Sequence, residues 1–132
     1  MLSLRVLLIS ADIHLSNSIN TCLSEAGFIV IHTSHGMGAM ELVHKTSPVL
    51  IILDINLPDY NSLSVIRALR ADEQDHRIPL ILFGSHLMEE DVLIGLEVGA
   101  DLCLLEAFHP QLFIARVRSL LRRTAITLPG GF

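Results

Sequence analysis

Five short apolar runs, RVLLIS (5–10), FIVIH (28–32), VLIIL (49–53), LILF (80–83) and LCLL (102–105), recur along the chain, each followed by a longer amphipathic stretch. The runs have strand length, and their apolarity is continuous rather than alternating. That is the pattern of strands covered on both faces, as in a parallel sheet held between two layers of helices. Between the runs, apolar residues return at helical spacing: Leu15, Ile19, Leu23 and Ala26, then Ala39, Leu42 and Val43, then Leu63, Ile66 and Leu69. Gly27, Pro48 and Gly99 follow the first, second and fourth stretches, where left-handed caps or a proline end helices. Five βα units in succession predict one α/β domain, a doubly wound five-stranded parallel sheet with five helices in three layers. The domain is expected over 1–123, with 124–132, which carries Pro129, Gly130 and Gly131, as a linker start or tail.

Composition narrows the classes further. The chain has 132 residues, 51% of them hydrophobic and 17% charged, enough for one buried core and too apolar for a disordered segment. No apolar run approaches the ~20 residues of a membrane span, and the opening run is too short for a secretory core, so a cytoplasmic location is expected. Cys22 and Cys103 lie far apart in periodic apolar segments and read as buried free thiols. The seven histidines share no ligand-type spacing, so they are expected on the surface or in loops and no metal site is expected from them. A net charge of -5 gives no general footprint for nucleic acid, although Arg116, Arg118, Arg122 and Arg123 cluster near the end.

In such a sheet the carboxyl ends of the strands form the functional edge. The residues there are Ser10 to Asp12, His32 to Ser34, Asp54 to Pro58, Gly84 to His86 and Glu106 to Pro110. The segment VLIILDINLPDYNS resembles the third strand and following loop of response-regulator receiver domains of the CheY-like family. GLEVGADLCLLEAFHPQLFIARVRSLLRR resembles the fourth helix, fifth strand and fifth helix of the same family, most of all in the branch that precedes a winged-helix DNA-binding domain. Asp54, Pro58, Pro79, Gly99, Ala100, Asp101 and Pro110 fall in register over about residues 4 to 123. The resemblance implies strand order 2-1-3-4-5 and Asp54 as the phospho-acceptor.

It also implies partner groups, and most are replaced. Phosphoryl transfer to a carboxylate requires a divalent cation to neutralise charge on the phosphoryl oxygens. The acidic pair that holds the cation falls on Ser10 and Ala11. Asp12 stands one residue late, where it either caps the first helix or contributes weakly beside Asp54 and the Asn56 carbonyl. The phosphate-binding hydroxyl falls on Gly84, with Ser85 next to it; the pairing lysine falls on Glu106, the following proline on Ala107, and the aromatic switch residue on Cys103. A carboxylate in place of an ammonium group repels a phosphoryl donor.

The expectation is therefore a non-enzymatic, receiver-like regulatory domain of a two-component (phosphorelay) response regulator. It is atypical and phosphorylation-independent, with no cofactor, and works through homodimerisation or a partner to control an output domain. DNA would be reached only through such a separate domain. The alternative is a conventional receiver phosphorylated on Asp54 by a histidine kinase, with Mg2+. In the fourth helix, Leu93, Leu96 and Ala100 are expected to face the sheet, leaving Ile94 and Val98 as an outward stripe for a partner. Asp101 and Arg116 match positions that pair across dimers in the winged-helix branch, while Arg118, Arg122 and Arg123 either pair similarly with Glu89, Glu90 or Glu97 or solvate the helix end. A hydrolytic group built from Ser10, Ser85, His86, His109 and Asp54 lacks a Gly-x-Ser-x-Gly elbow, and the first turn, SADIH, lacks the glycines of a nucleotide loop. A small ligand in the space left by the missing groups stays open.

Overall fold

The computed structural model describes residues 4–104 and 109–123. Each apolar run becomes a strand: β1 (Arg5–Ile9), β2 (Ile29–Thr33), β3 (Leu50–Asp54), β4 (Leu80–Phe83) and β5 (Leu102–Leu104). The helices between and after them are α1 (Ile13–Glu25), α2 (Ala39–Thr46), α3 (Ser62–Ala71), α4 (Glu89–Val98) and α5 (Pro110–Leu121). All pairings are parallel and the order is β2-β1-β3-β4-β5, as the resemblance implies. Strands β2 and β3 each begin one residue later than their apolar runs and end on a polar residue, Thr33 and Asp54. The ladder thus carries polar side chains to the carboxyl edge.

Successive residues of a strand point to opposite faces, which splits the core in two. Val6, Leu8, Leu50, Ile52, Ile81 and Phe83 pack against α1 and α5 through Leu23, Phe113 and Val117. Leu7, Ile9, Ile51, Leu53, Leu80 and Leu82 pack against α2, α3 and α4 through Val43, Ile66 and Val98, with Ala100 just beyond α4. Burial on both faces explains why the runs show no alternation. Burying a leucine or isoleucine side chain stabilises by about 1.5–3 kcal/mol, so these two layers dominate folding.

Helix ends follow local chemistry. Asp12 and Asn61 cap α1 and α3 by accepting the Leu15 and Leu63 amides at 3.1 and 2.9 Å. Gly99 takes φ of +131° after α4, a region open to glycine. After α2 the left-handed residue is Ser47, φ +47°, directly before Pro48. Cys22 and Cys103 are free but only half-buried, not the fully buried thiols expected, because each sits at a helix seam: Cys22 Sγ lies 3.5 Å from the Pro110 carbonyl, and Cys103 lies under α4. Residues 105–108 and 124–132 lie outside the described residues, and with them Leu105, Glu106 and Ala107 and the expected tail. Among the described residues no helix is long and apolar enough to cross a membrane.

Candidate functional site

Three strand ends converge at the carboxyl edge of the sheet. Asp54 is the last residue of β3, in register with Phe83 of β4. Ser10 follows β1 directly, and its amide extends the ladder to the Thr33 carbonyl at 3.0 Å. Both side chains are covered: Asp54 is 3% exposed and Ser10 0%.

A carboxylate withdrawn from water needs donors on its oxygens. Asp54 has one on each. The Ser10 hydroxyl donates to Oδ2 at 2.7 Å and the Asn56 amide donates to Oδ1 at 2.9 Å. The Asp12 amide donates to Ser10 Oγ at 3.1 Å, so the serine is held from both sides. The Asp12 carboxylate, by contrast, is turned to the Leu15 amide as the α1 cap, and Ala11 is exposed with no polar side-chain atom. Burial, the largest influence, pushes the Asp54 carboxyl above the usual aspartate range; the Asn56 and Ser10 hydrogen bonds oppose this, and the nearby charge of Asp12 adds to it.

Two supports of the site carry no signal in the sequence. The Ser62 hydroxyl, at the start of α3, donates to the Asp54 carbonyl. His32 Nε2 lies 2.8 Å from the Ser10 carbonyl, an acceptor, so that nitrogen carries the ring hydrogen. The bonds span eight and 22 residues and join polar groups of separate elements, which an apolar pattern cannot register. Across the mouth, Asp59 accepts the Gly36 and Met37 amides at 3.0 and 3.2 Å, tying the β2–α2 loop to the loop after β3. Those amides, Gly36 foremost, hold the Asp59 carboxyl below the usual range.

Gly84 lies beside this carboxylate. A methyl group added there would stand 2.6 Å from Ile55 Cγ2, 3.3 Å from Asn56 Nδ2 and 3.8 Å from Asp54 Oδ1. Ile55 therefore fills the space a side chain at residue 84 would take. Ser85, one residue later, is exposed. Cys103, in register with Leu82, is tucked beneath α4 with its thiol 4.0 Å from the Val92 carbonyl, and burial raises its pKa. Glu106 lies outside the described residues.

The second region of interest is α4, where Ala100 is buried and Ile94 faces outward as expected, but Leu93 and Leu96 exchange places with Val98. Leu93 and Leu96 are 58% and 46% exposed, while Val98 packs against the core. The helix meets the sheet through Gly95, where a methyl group would stand 2.6 Å from Leu82 Cδ2. Four aliphatic side chains spread around the helix gave no single face by spacing; close approach at the glycine chose it. The outward stripe is Leu93, Ile94 and Leu96, with Ile94 38% exposed. Asp101 accepts both the Arg70 guanidinium and the Leu80 amide at 2.8 Å within the chain. Arg70 also reaches the carbonyls of Gly99, His76 and Ile78, fastening α3 to the start of β5. Arg116 is exposed and Arg118 half-buried on α5.

Comparison with known proteins agrees with this architecture. The family model "Response regulator receiver domain" matches residues 6–118. The transcriptional regulatory protein GltR of Pseudomonas aeruginosa is 35% identical over 126 residues, covering 96% of this chain and 52% of that protein. The DNA-binding response regulator MtrA of Mycobacterium leprae is 34% identical over 119 residues, covering 90% of this chain and 52% of MtrA. The chain thus spans about half the length of these curated relatives. Among solved structures, the BeF3-activated N-terminal receiver domain of Klebsiella pneumoniae RstA superposes with a TM-score of 0.81 at 27% identity, over 89% of this chain and 98% of that one. A putative response regulator from Chloroflexus aurantiacus gives 0.85 at 24% identity, over 90% of this chain and 98% of that one, a likeness of fold.

Proposed function

Since the chain belongs to the response-regulator receiver domain family, we propose that it is an atypical receiver whose regulatory state is set by association with a partner rather than by phosphorylation of Asp54. It is the receiver domain of a two-component response regulator. The observation that carries the finer reading is the hydrogen bonding of Asp54: its oxygens are taken by the Ser10 hydroxyl and the Asn56 amide, and Ser10 stands where an acid would help hold a cation. One buried carboxylate, one hydroxyl and a backbone carbonyl make a poor set for magnesium, which favours carboxylate oxygens in an octahedral shell. Asp12 is committed to its helix cap, and Ile55 fills the space beside Gly84. The sequence places Glu106 at the family's lysine position, adding negative charge rather than removing it.

On this reading the domain is not an enzyme and carries no resident cofactor. It acts in the cytoplasm, and its partner is a second copy or another signalling protein. The apolar stripe of α4 around Ile94, with Val98 behind it and Arg116 and Arg118 on α5, forms the contact face. Asp101 keeps its in-chain bond to Arg70 and adds charge at the rim. The relatives GltR and MtrA are named as transcriptional or DNA-binding regulators; by analogy, an output domain elsewhere in the whole protein binds DNA, and this domain controls it.

The test is incubation with Mg2+ and acetyl phosphate or beryllofluoride, followed by amide NMR. The expected spectrum is unchanged around residues 54, 84 and 103. Shifts that vanish in Asp54→Asn would replace this reading with the conventional receiver, phosphorylated by a histidine kinase.

A further inference from the structure

At the opposite edge of the sheet, where α2 and α3 end, three potential metal ligands meet. His44 lies in the last turn of α2, Asp72 caps the end of α3, and Asp75 follows in the next turn. His44 Nε2 is 2.9 Å from Asp72 Oδ1 and 3.6 Å from Asp75 Oδ2, and one ligand atom of each residue falls within 4.8 Å of the other two. The second oxygen of Asp72 accepts the Gln74 and Asp75 amides at 3.1 and 2.7 Å. Those bonds fix the turn and present Oδ1 to the imidazole. The two carboxylate side chains are only 19% and 17% exposed. Among the described residues the Asp75 carboxylate meets no donor closer than His44, so two like charges are gathered around a single imidazole.

We infer that His44, Asp72 and Asp75 form a binding site for a divalent transition ion of the zinc class. One nitrogen and two carboxylate oxygens are a donor set such ions accept, with water completing a tetrahedron. Ligands at about 2.0–2.1 Å from zinc stand roughly 3.3 Å from one another, and the separations of 2.9 and 3.6 Å bracket that value. Entry of the ion requires small side-chain shifts. The ion takes the place of the hydrogen that Nε2 shares with Asp72, and binding releases that proton when the imidazole is in its Nε2–H form. Two carboxylates then neutralise the dication. Bound metal clips α2 to the turn after α3, at the end of the domain away from Asp54, so the site stands whether or not Asp54 is phosphorylated. His44 and Asp72 are 28 residues apart, which is why no ligand spacing in the sequence reveals the site.

The experiment is calorimetric titration of the 132-residue chain with Zn2+, together with amide spectra in the presence of paramagnetic Co2+. One equivalent is expected, with broadening confined to the last turn of α2 and to residues 72–76. His44→Gln and Asp75→Asn should each weaken binding by about 10-fold or more, the least a lost ligand costs when outer-shell losses already cost that much. Asp54→Asn should leave affinity unchanged. Equal affinity in the wild type and both variants, broadening centred on the Asp54 edge, or no uptake up to roughly 1 mM would overturn the assignment.

Discussion

The Asp54 edge and the outer face of α4 depart from the usual partition of side chains in opposite directions. At the first, a carboxylate is sealed in at 3% exposure; at the second, Leu93 and Leu96 stand about half exposed. Burying the carboxylate is tolerable because Ser10 and Asn56 meet both oxygens. Exposing the leucines is tolerable because Gly95 lets the helix sit close on Leu82 without them. Ordinary folding pressure would remove both features, since an unneeded buried charge and an unneeded apolar stripe each cost stability or solubility. The contrast separates an inward site whose polar groups are satisfied from an outward apolar stripe that is open to solvent.

The comparison can be broken most forcefully at Gly84. Gly84→Val should destabilise by about 3 kcal/mol in denaturant titration, the upper range for overpacking, and Ile55→Ala in the same chain should recover part of that loss. Recovery would show that Ile55 and residue 84 compete for one space; simple additivity would mean that they do not. Ser10→Ala should cost about 2 kcal/mol, because Asp54 Oδ2 and the Asp12 amide both lose their partner.

Asp54→Asn should act in the other direction. The folded carboxyl has a raised pKa. Its contribution to stability is therefore fully present below the ordinary aspartate range and is lost as pH rises through the raised value. At pH 7 the variant should be the more stable in thermal unfolding, with the two proteins converging in acid. A variant less stable at neutral pH would mean that the hydrogen bonds outweigh burial. The smallest effect on the monomer is expected outside: Ile94→Glu, alone or with Leu93→Glu, should alter unfolding free energy by no more than about 0.5 kcal/mol. The same change should weaken self-association in sedimentation at high concentration. Unchanged sedimentation would remove α4 from the contact surface.

How legible each region was in the sequence differs for the same reason. Continuous runs of strand length such as VLIIL read as strands covered on both faces, and each appears in the sheet with its ends moved by at most one residue. Ser10 and Gly84 were recognisable as replacements of family groups, but their consequences were not. The bond from Ser10 to Asp54 spans 44 residues, and the crowding of Gly84 depends on where Ile55 points. In α4, apolar residues at 93, 94, 96 and 98 gave no unique stripe, and spacing alone put the wrong leucines against the sheet. Asp101, whose sequence position suggested pairing across a dimer, also has a partner close by in Arg70.

By itself, then, the sequence determined the number and kind of elements and the parallel, doubly covered sheet, because strand burial and helix periodicity are written in the order of apolar residues along the chain. The edge that carries Asp54 followed from that topology. Only the tertiary structure decided which oxygen each donor reaches, which side of α4 remains outside, and that His44 meets Asp72 and Asp75. Those outcomes rest on contacts a few ångströms long between residues far apart in sequence, and such contacts are set by how the layers close on one another rather than by any local pattern.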